Sequence, residues 1–180
     1  MRLFILFSLF FICSHFVFSQ STSLKLTNAL IVAQMDRSED KFTLEIHLAE
    51  VLSENGIKVI PSLNVLKQGA NPSVLATDSI KNDLISKNID TYLLVNVRGY
   101  DRTFLPTKKF ESLEHELGSS HLFPLYRDEI VSITFEFTFF KEGKVVKTDL
   151  LKLKNVSSRE NVIKKLRKKL PKKIHHWKRT

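Results

Sequence analysis

The sequence predicts a single α/β domain built on a mixed five-stranded sheet packed by helices. The elements run strand, helix, strand, helix, strand, long loop, strand, strand, helix. Two short crossovers imply parallel neighbours, and a closing hairpin adds antiparallel strands. A chain of 180 residues, 43% of them hydrophobic, suits one domain with one core.

The first nineteen residues stand apart from that domain. Arg2, an almost wholly apolar stretch over 3–13, and Val17-Phe18-Ser19 before Gln20 have the layout of a secretory signal, with cleavage expected after Ser19. The apolar stretch is interrupted by Ser14-His15 and falls short of the roughly 20 residues that a bilayer span needs. Ile12, not a small residue, precedes Cys13, which argues against lipidation. With cleavage the single Cys leaves too, so the exported chain has no disulfide, thiolate metal site or cysteine nucleophile. The Phe-Ser-Gln ending resembles export signals of flavobacteria and points to a Gram-negative envelope, periplasmic or secreted.

The domain is expected over 20–156. Residues 29–33 form a short apolar run that suits a strand covered on both faces. Asp36 and Glu39 have capping-box spacing, and Phe42, Ile46, Ala49 and Leu52, with Leu44, Leu48 and Val51, repeat at helical spacing until Asn55-Gly56. The first helix is therefore placed at 38–54. Residues 57–63 contain Pro61, which cannot donate to a ladder, so this strand belongs at an edge. After a loop at 68–72, Thr77 or Asp78 caps a second helix over 78–88, with Ile80, Leu84 and Ile85 on one face.

Residues 92–97, Tyr-Leu-Leu-Val-Asn-Val, read as the central strand. Residues 99–128 show neither helical nor strand period, and a loop of that length in a compact domain is commonly functional. Alternation over 130–140, the turn at Glu142-Gly143 and a second strand at 145–153 make the hairpin. Ser157 and Glu160 have capping-box spacing for a last helix, whose Val162, Ile163, Leu166, Leu170 and Ile174 form one apolar stripe. Its polar faces are lysine-rich: 157–180 holds ten Lys or Arg against one acid, while the remaining residues balance at eighteen each. The chain's net charge of +9 is thus a property of this basic carboxyl-terminal helix and tail, expected to dock on the domain through its stripe.

Several function classes are excluded. The five glycines stand at 56, 69, 99, 118 and 143, too far apart to write a phosphate-cradling loop, a dinucleotide turn or a nucleophile elbow. His115-Glu116-Leu117-Gly118-Ser119-Ser120-His121 approaches a zinc-protease string, but six-residue spacing puts the histidines on different helix faces and Gly118 breaks the helix. His175-His176 lie among lysines whose charge disfavours a metal, and read as a solvated tail. No catalytic residue, metal or cofactor is expected.

Three strings carry a fold-level resemblance: Glu54-Asn55-Gly56-Ile57-Lys58-Val59, Asn88-Ile89-Asp90-Thr91-Tyr92-Leu93-Leu94-Val95, and Lys141-Glu142-Gly143-Lys144-Val145-Val146. In these the chain resembles the small envelope α/β domains of the TolB amino-terminal domain, the curli secretion lipoprotein and the penicillin-binding-protein activator lipoproteins, over about 29–153. It also resembles exported flavobacterial-type proteins. The resemblance implies a non-enzymatic binding or adaptor module of the cell envelope, though the lipidation Cys and propeller of those relatives are missing and a basic tail is added.

Two candidate contact surfaces follow. Arg98, Tyr100, Asp101 and Arg102 follow the central strand, where α/β sheets place ligands and where two guanidiniums could grip an anion. The competing reading has Asp101 pairing with one Arg and Tyr100 packing on the sheet. Asp36-Arg37 would share this rim if the strands are parallel. The second surface is the last helix, with Lys164, Lys165, Lys168, Lys169, Lys172, Lys173 and Trp177, which suits an anionic partner. Export places lipid or acidic glycan ahead of nucleic acid. The expected function is an adaptor contacting an envelope protein; the alternative is an anionic-lipid or polyanion binder acting through the basic helix. An enzyme would draw on Asp101, Glu111, Glu114, His115 and Glu116, whose spacing singles out no reaction.

Overall fold

The computed structural model describes residues 24–67, 69–101, 103–104, 112–118 and 122–180. The expected signal segment lies outside them. The strands are β1 (Asn28–Gln34), β2 (Lys58–Pro61), β3 (Thr91–Tyr100), β4 (Thr103–Phe104), β5 (Ser132–Lys141) and β6 (Lys144–Lys154); the helices are α1 (Ser38–Glu54), α2 (Asp78–Ser86), α3 (Leu113–Leu117) and α4 (Arg159–Trp177).

The main sheet path is β2-β1-β3-β5-β6, with the two-residue β4 pairing to the end of β3. β1 runs parallel to β2 and β3, while β5 is antiparallel to both β3 and β6. This is the mixed five-stranded α/β domain predicted from the order of elements. β2 lies at an edge, as Pro61 requires. It ends at that proline and passes into a 3-10 turn, Ser62–Asn64.

Strand alternation sorts the core into two layers. Ala29, Ile31, Ala33, Leu93, Val95, Phe135, Phe137 and Phe139 share one face with the buried sides of α1 and α4. Leu30, Val32, Tyr92, Leu94 and Phe140 face the other way, against Leu75, Leu84, Leu113 and Leu117 from α2, α3 and the 3-10 turn Pro72–Ala76. A strand covered on both faces cannot alternate apolar and polar residues, which is why β1 reads as a continuous apolar run.

Several local expectations are corrected. Phe42 is 58% exposed, so the buried stripe of α1 is Leu44, Leu48, Val51 and Leu52 together with Asp40 and Glu45. Arg37, not Asp36, precedes α1, and no side chain caps it. Asn71 accepts from the Ser73 N–H and starts a 3-10 turn, Pro72–Ala76, which follows the expected loop and was not anticipated. α4 is capped by the Ser158 hydroxyl, which accepts from the Asn161 N–H; the Ser157 carbonyl instead accepts from the Tyr126 hydroxyl. The segment at 99–128 is not aperiodic throughout: β3 continues through Gly99 and Tyr100 across a bulge, and α3 forms further on.

Candidate functional site

The rim is built by topology. The β1–α1–β2 crossover goes to one side of β1, and the chain then passes back over β1 to reach β3, so the connection reverses between β1 and β3. At such a switch point the carboxyl ends of the strands open a crevice where α/β proteins commonly hold ligands. Asp36-Arg37 follow the end of β1 and Asp101 follows the end of β3 on the same side of the sheet, because β1 and β3 are parallel.

The chain fills that crevice itself. Phe123 bridges Met35, and its carbonyl accepts from the Asp36 N–H at 3.4 Å. The Tyr100 hydroxyl donates to the Pro124 carbonyl, and the Tyr100 and Phe123 rings meet edge to face at 5.6 Å. Leu125 is fully buried, and its N–H donates to Asp40 Oδ2 at 2.9 Å.

The rim residues singled out from sequence are likewise engaged. Arg98 pairs with Glu136 at 3.7 Å, both side chains about one-tenth exposed (11% and 9%). Tyr100 is buried, its hydroxyl pKa pushed up by desolvation, and the Arg127 guanidinium lies 4.6 Å from its ring centroid. Asp101, in the left-handed region at φ 49°, accepts through Oδ1 from the N–H groups of Val131 (3.1 Å) and Ser132 (2.7 Å). Desolvation opposes its charge, but those hydrogen bonds win and hold its carboxyl below the usual range. Arg102, Glu111 and His121 lie outside the described residues. His115 lies on α3, which ends at Gly118, and among the described residues no group of three or more His, Cys, Asp or Glu could hold a metal ion.

The second surface is α4, and its two faces differ. Val162, Ile163, Leu166, Leu170, Ile174 and Trp177 are buried. Trp177 corrects the sequence expectation: it is 0% exposed, its ring 5.2 Å from Phe137 and 4.9 Å from Phe139, and its indole N–H donates to Asp149 Oδ2 at 2.8 Å. α4 extends through Trp177 despite Pro171, so His175 and His176 are exposed residues of its last turn, not of a separate tail.

Many cations of α4 hold the helix in place. Arg159 pairs with the buried Asp40 at 2.8 Å and donates to Thr43 Oγ1 at 3.0 Å; Arg167 pairs with Glu50 and, at 3.5 Å, with Glu54. Lys173 Nζ lies 2.7 Å from Asp149 Oδ1. Burial raises the Asp149 pKa, but the Lys173 and Trp177 hydrogen bonds outweigh it and hold the carboxyl below its usual range. Lys165 and Lys169 donate to the carbonyls of Lys154 (3.0 Å) and Lys152 (3.2 Å) on the edge strand β6. Lys164, Lys168 and Lys172 remain: they are exposed, one turn apart, and have no hydrogen-bond or ion-pair partner among the described residues.

Between α4 and β6 lies a cleft of about 440 Å³, lined by Lys154, Lys164, Lys165, Lys168 and Lys169 with Asn161. A second cleft, of about 520 Å³, flanks the start of α1 beside Phe42, Lys41 and Lys67.

Sequence reasoning missed the acids that organise these surfaces. Glu45 is fully buried: Oε1 accepts from the Ala33 N–H (2.9 Å) and Ser62 hydroxyl (2.6 Å), and Oε2 from the Leu63 N–H (3.1 Å). Desolvation pushes its pKa up, against the pull of Ser62, Ala33, Lys41 and Leu63. An acid inside the helical stripe of α1 was the available signal.

No family model matches the sequence, and no curated protein matches it. Among solved structures, the fold is similar to that of lipoprotein GNA1162 from Neisseria meningitidis, at 13% identity over 83% of this chain and 99% of that one, with a TM-score of 0.39. It is also similar to the PelC dodecamer from Paraburkholderia phytofirmans, at 13% identity over 81% and 86%, with a TM-score of 0.41. The likeness is one of fold and carries no residue, ligand or partner across. What the chain itself defines is a small α/β domain with a docked helix that presents a lysine face. Among the described residues no helix is long and apolar enough to cross a membrane.

Proposed function

We propose that this chain is an exported, non-enzymatic binding module of the bacterial cell envelope, engaging an anionic partner surface through the outer face of α4. One observation carries the reading: Lys164, Lys168 and Lys172 lie exposed and unpartnered among the described residues, on a helix whose other face is core. Unmatched cations held one turn apart on a rigid element create a local positive field, whereas cations already paired with acids do not. The rim favours this surface by contrast, since Arg98, Tyr100 and Asp101 are occupied within the fold.

The test is flotation of the protein with vesicles containing anionic lipid, at low and at high salt. Binding should be present at low salt and fall steeply as salt rises, because exposed charges are screened within about 10 Å at 0.1 M. Equal recovery with neutral and anionic vesicles would overturn the reading. A second reading, contact with an envelope protein through the rim, draws on the exposed Phe42 beside the larger cleft. It predicts protein capture that is insensitive to salt and lost in Phe42→Ser.

A further inference from the structure

The cleft between α4 and β6 has features that an exposed lysine stripe alone would lack. Lys165 and Lys169 are not free to wander, because each donates one of its three N–H groups to a β6 carbonyl. Their ammonium heads are therefore fixed at the cleft wall with donors to spare. Lys154 closes it from the strand, and Lys164 and Lys168 from the helix.

No Asp or Glu is among the described residues lining the cleft. Glu160, one turn before Lys164, is held at the helix start by the Ser158 hydroxyl. Asn161, also in the lining, has a buried amide oxygen without a hydrogen-bond partner. The NH2 end of that amide, which is not among the buried unpartnered atoms, is the donor that Asn161 offers a bound anion.

The kind of cation narrows the ligand. Arginine's planar fork suits carboxylates and phosphates alike, but no arginine lines this cleft: Arg159 and Arg167 of α4 pair with acids of α1 instead. Ammonium groups act as compact point charges, and several converging on one cleft favour a compact, multiply charged anion over a planar single charge. A phosphomonoester carries about −1.5 to −2 at neutral pH with three acceptor oxygens.

We infer that the α4–β6 cleft is a phosphomonoester-binding site, with Lys154, Lys164, Lys165, Lys168 and Lys169 as its ammonium ligands and Asn161 at its floor. This rests on the proposed role of α4 as an anionic contact surface and names the group that the surface selects. The phosphate can belong to a lipid headgroup or to a soluble phosphate ester.

The test compares two variants of equal charge loss. Lys164→Gln/Lys168→Gln removes two cleft ligands, and Lys144→Gln/Arg179→Gln removes two exposed cations that belong neither to the cleft nor to the Lys164, Lys168 and Lys172 face. All four side chains are exposed, so both variants should melt like the parent. Glycerol phosphate titrated by NMR should shift the amides around Lys154, Asn161 and Lys165 in the parent. The cleft variant should weaken that binding by about tenfold, and the control variant by no more than about twofold.

Vesicles containing phosphatidic acid, a monoester, should retain the parent better than vesicles containing the same fraction of phosphatidylglycerol, a diester, if the source is lipid. Binding of glycerol phosphate without that preference assigns the site to soluble esters. Equal loss in both variants, or shifts scattered along α4, would show diffuse attraction only and overturn the site while sparing the anionic surface. No binding to any anionic vesicle or phosphate ester would overturn both.

Discussion

The rim of the sheet and the outer face of α4 are both charged, but they use their charge differently. At the rim, Arg98 faces Glu136, Asp101 accepts from two backbone N–H groups, and the Tyr100 hydroxyl donates to Pro124. On α4, Arg159, Arg167 and Lys173 pair with acids, whereas Lys164, Lys168 and Lys172 face solvent without a partner among the described residues. A paired charge in a desolvated setting is part of the architecture, and removing its partner leaves a cost inside the fold. An unpaired exposed charge adds little to stability and is left to act on something outside. The difference separates residues that hold the domain together from residues that can select a partner.

The strongest way to break this comparison is to remove α4. Truncation after Ser157 deletes Val162, Ile163, Leu166, Leu170, Ile174 and Trp177 from one core layer, so cooperative unfolding should disappear by calorimetry. A truncated chain that still melts cooperatively would show that α4 is an appendage. Next in size, Trp177→Ala should cost about 3–5 kcal/mol in denaturant unfolding, from the lost contacts with Phe137 and Phe139 and the cavity left behind. Asp40→Ala should follow closely, at about 3 kcal/mol, because it strands Arg159 and the Leu125 N–H together.

Smaller effects separate the buried Glu45 from the half-buried Asp149 by pH. Glu45 has its folded pKa raised above the usual 4.5 by desolvation. Its contribution is therefore fully present below that value and is lost as pH rises through the folded pKa, so the protein should gain stability from this group on mild acidification. Asp149 has its pKa lowered below 3.8. Its contribution is present above the ordinary value and is lost as pH falls through the folded pKa. Thermal melting across acid pH should show the first trend vanish in Glu45→Gln and the second in Asp149→Asn; unchanged profiles would remove both assignments.

The fold was legible where period and punctuation agreed. Asn55-Gly56 ended α1 where the structure ends it, since Gly56 adopts φ 75°, and Pro61 sent β2 to an edge. The lysine stripe of α4 could be read because its apolar stripe is regular. The rim was legible in place but not in use: nothing local to Arg98 or Tyr100 announces that Glu136 and Pro124, far along the chain, will occupy them. Leu24 and Leu26 were hidden for the same reason. They sit in a polar stretch, and only the docked end of α4, whose Trp177 carbonyl accepts from the Leu26 N–H at 3.0 Å, makes them core. Trp177 itself read as an exposed anchor because its burial depends on Asp149, a lone acid on an edge strand.

The most direct measurement pairs thermal unfolding with anionic-vesicle binding in the triple variant Lys164→Gln/Lys168→Gln/Lys172→Gln. Each side chain is exposed and unpartnered among the described residues, so stability should stay within about 0.5 kcal/mol of the parent while vesicle binding is lost. A variant that keeps its binding, or that loses its fold, would contradict the division of α4 into a structural face and a contact face.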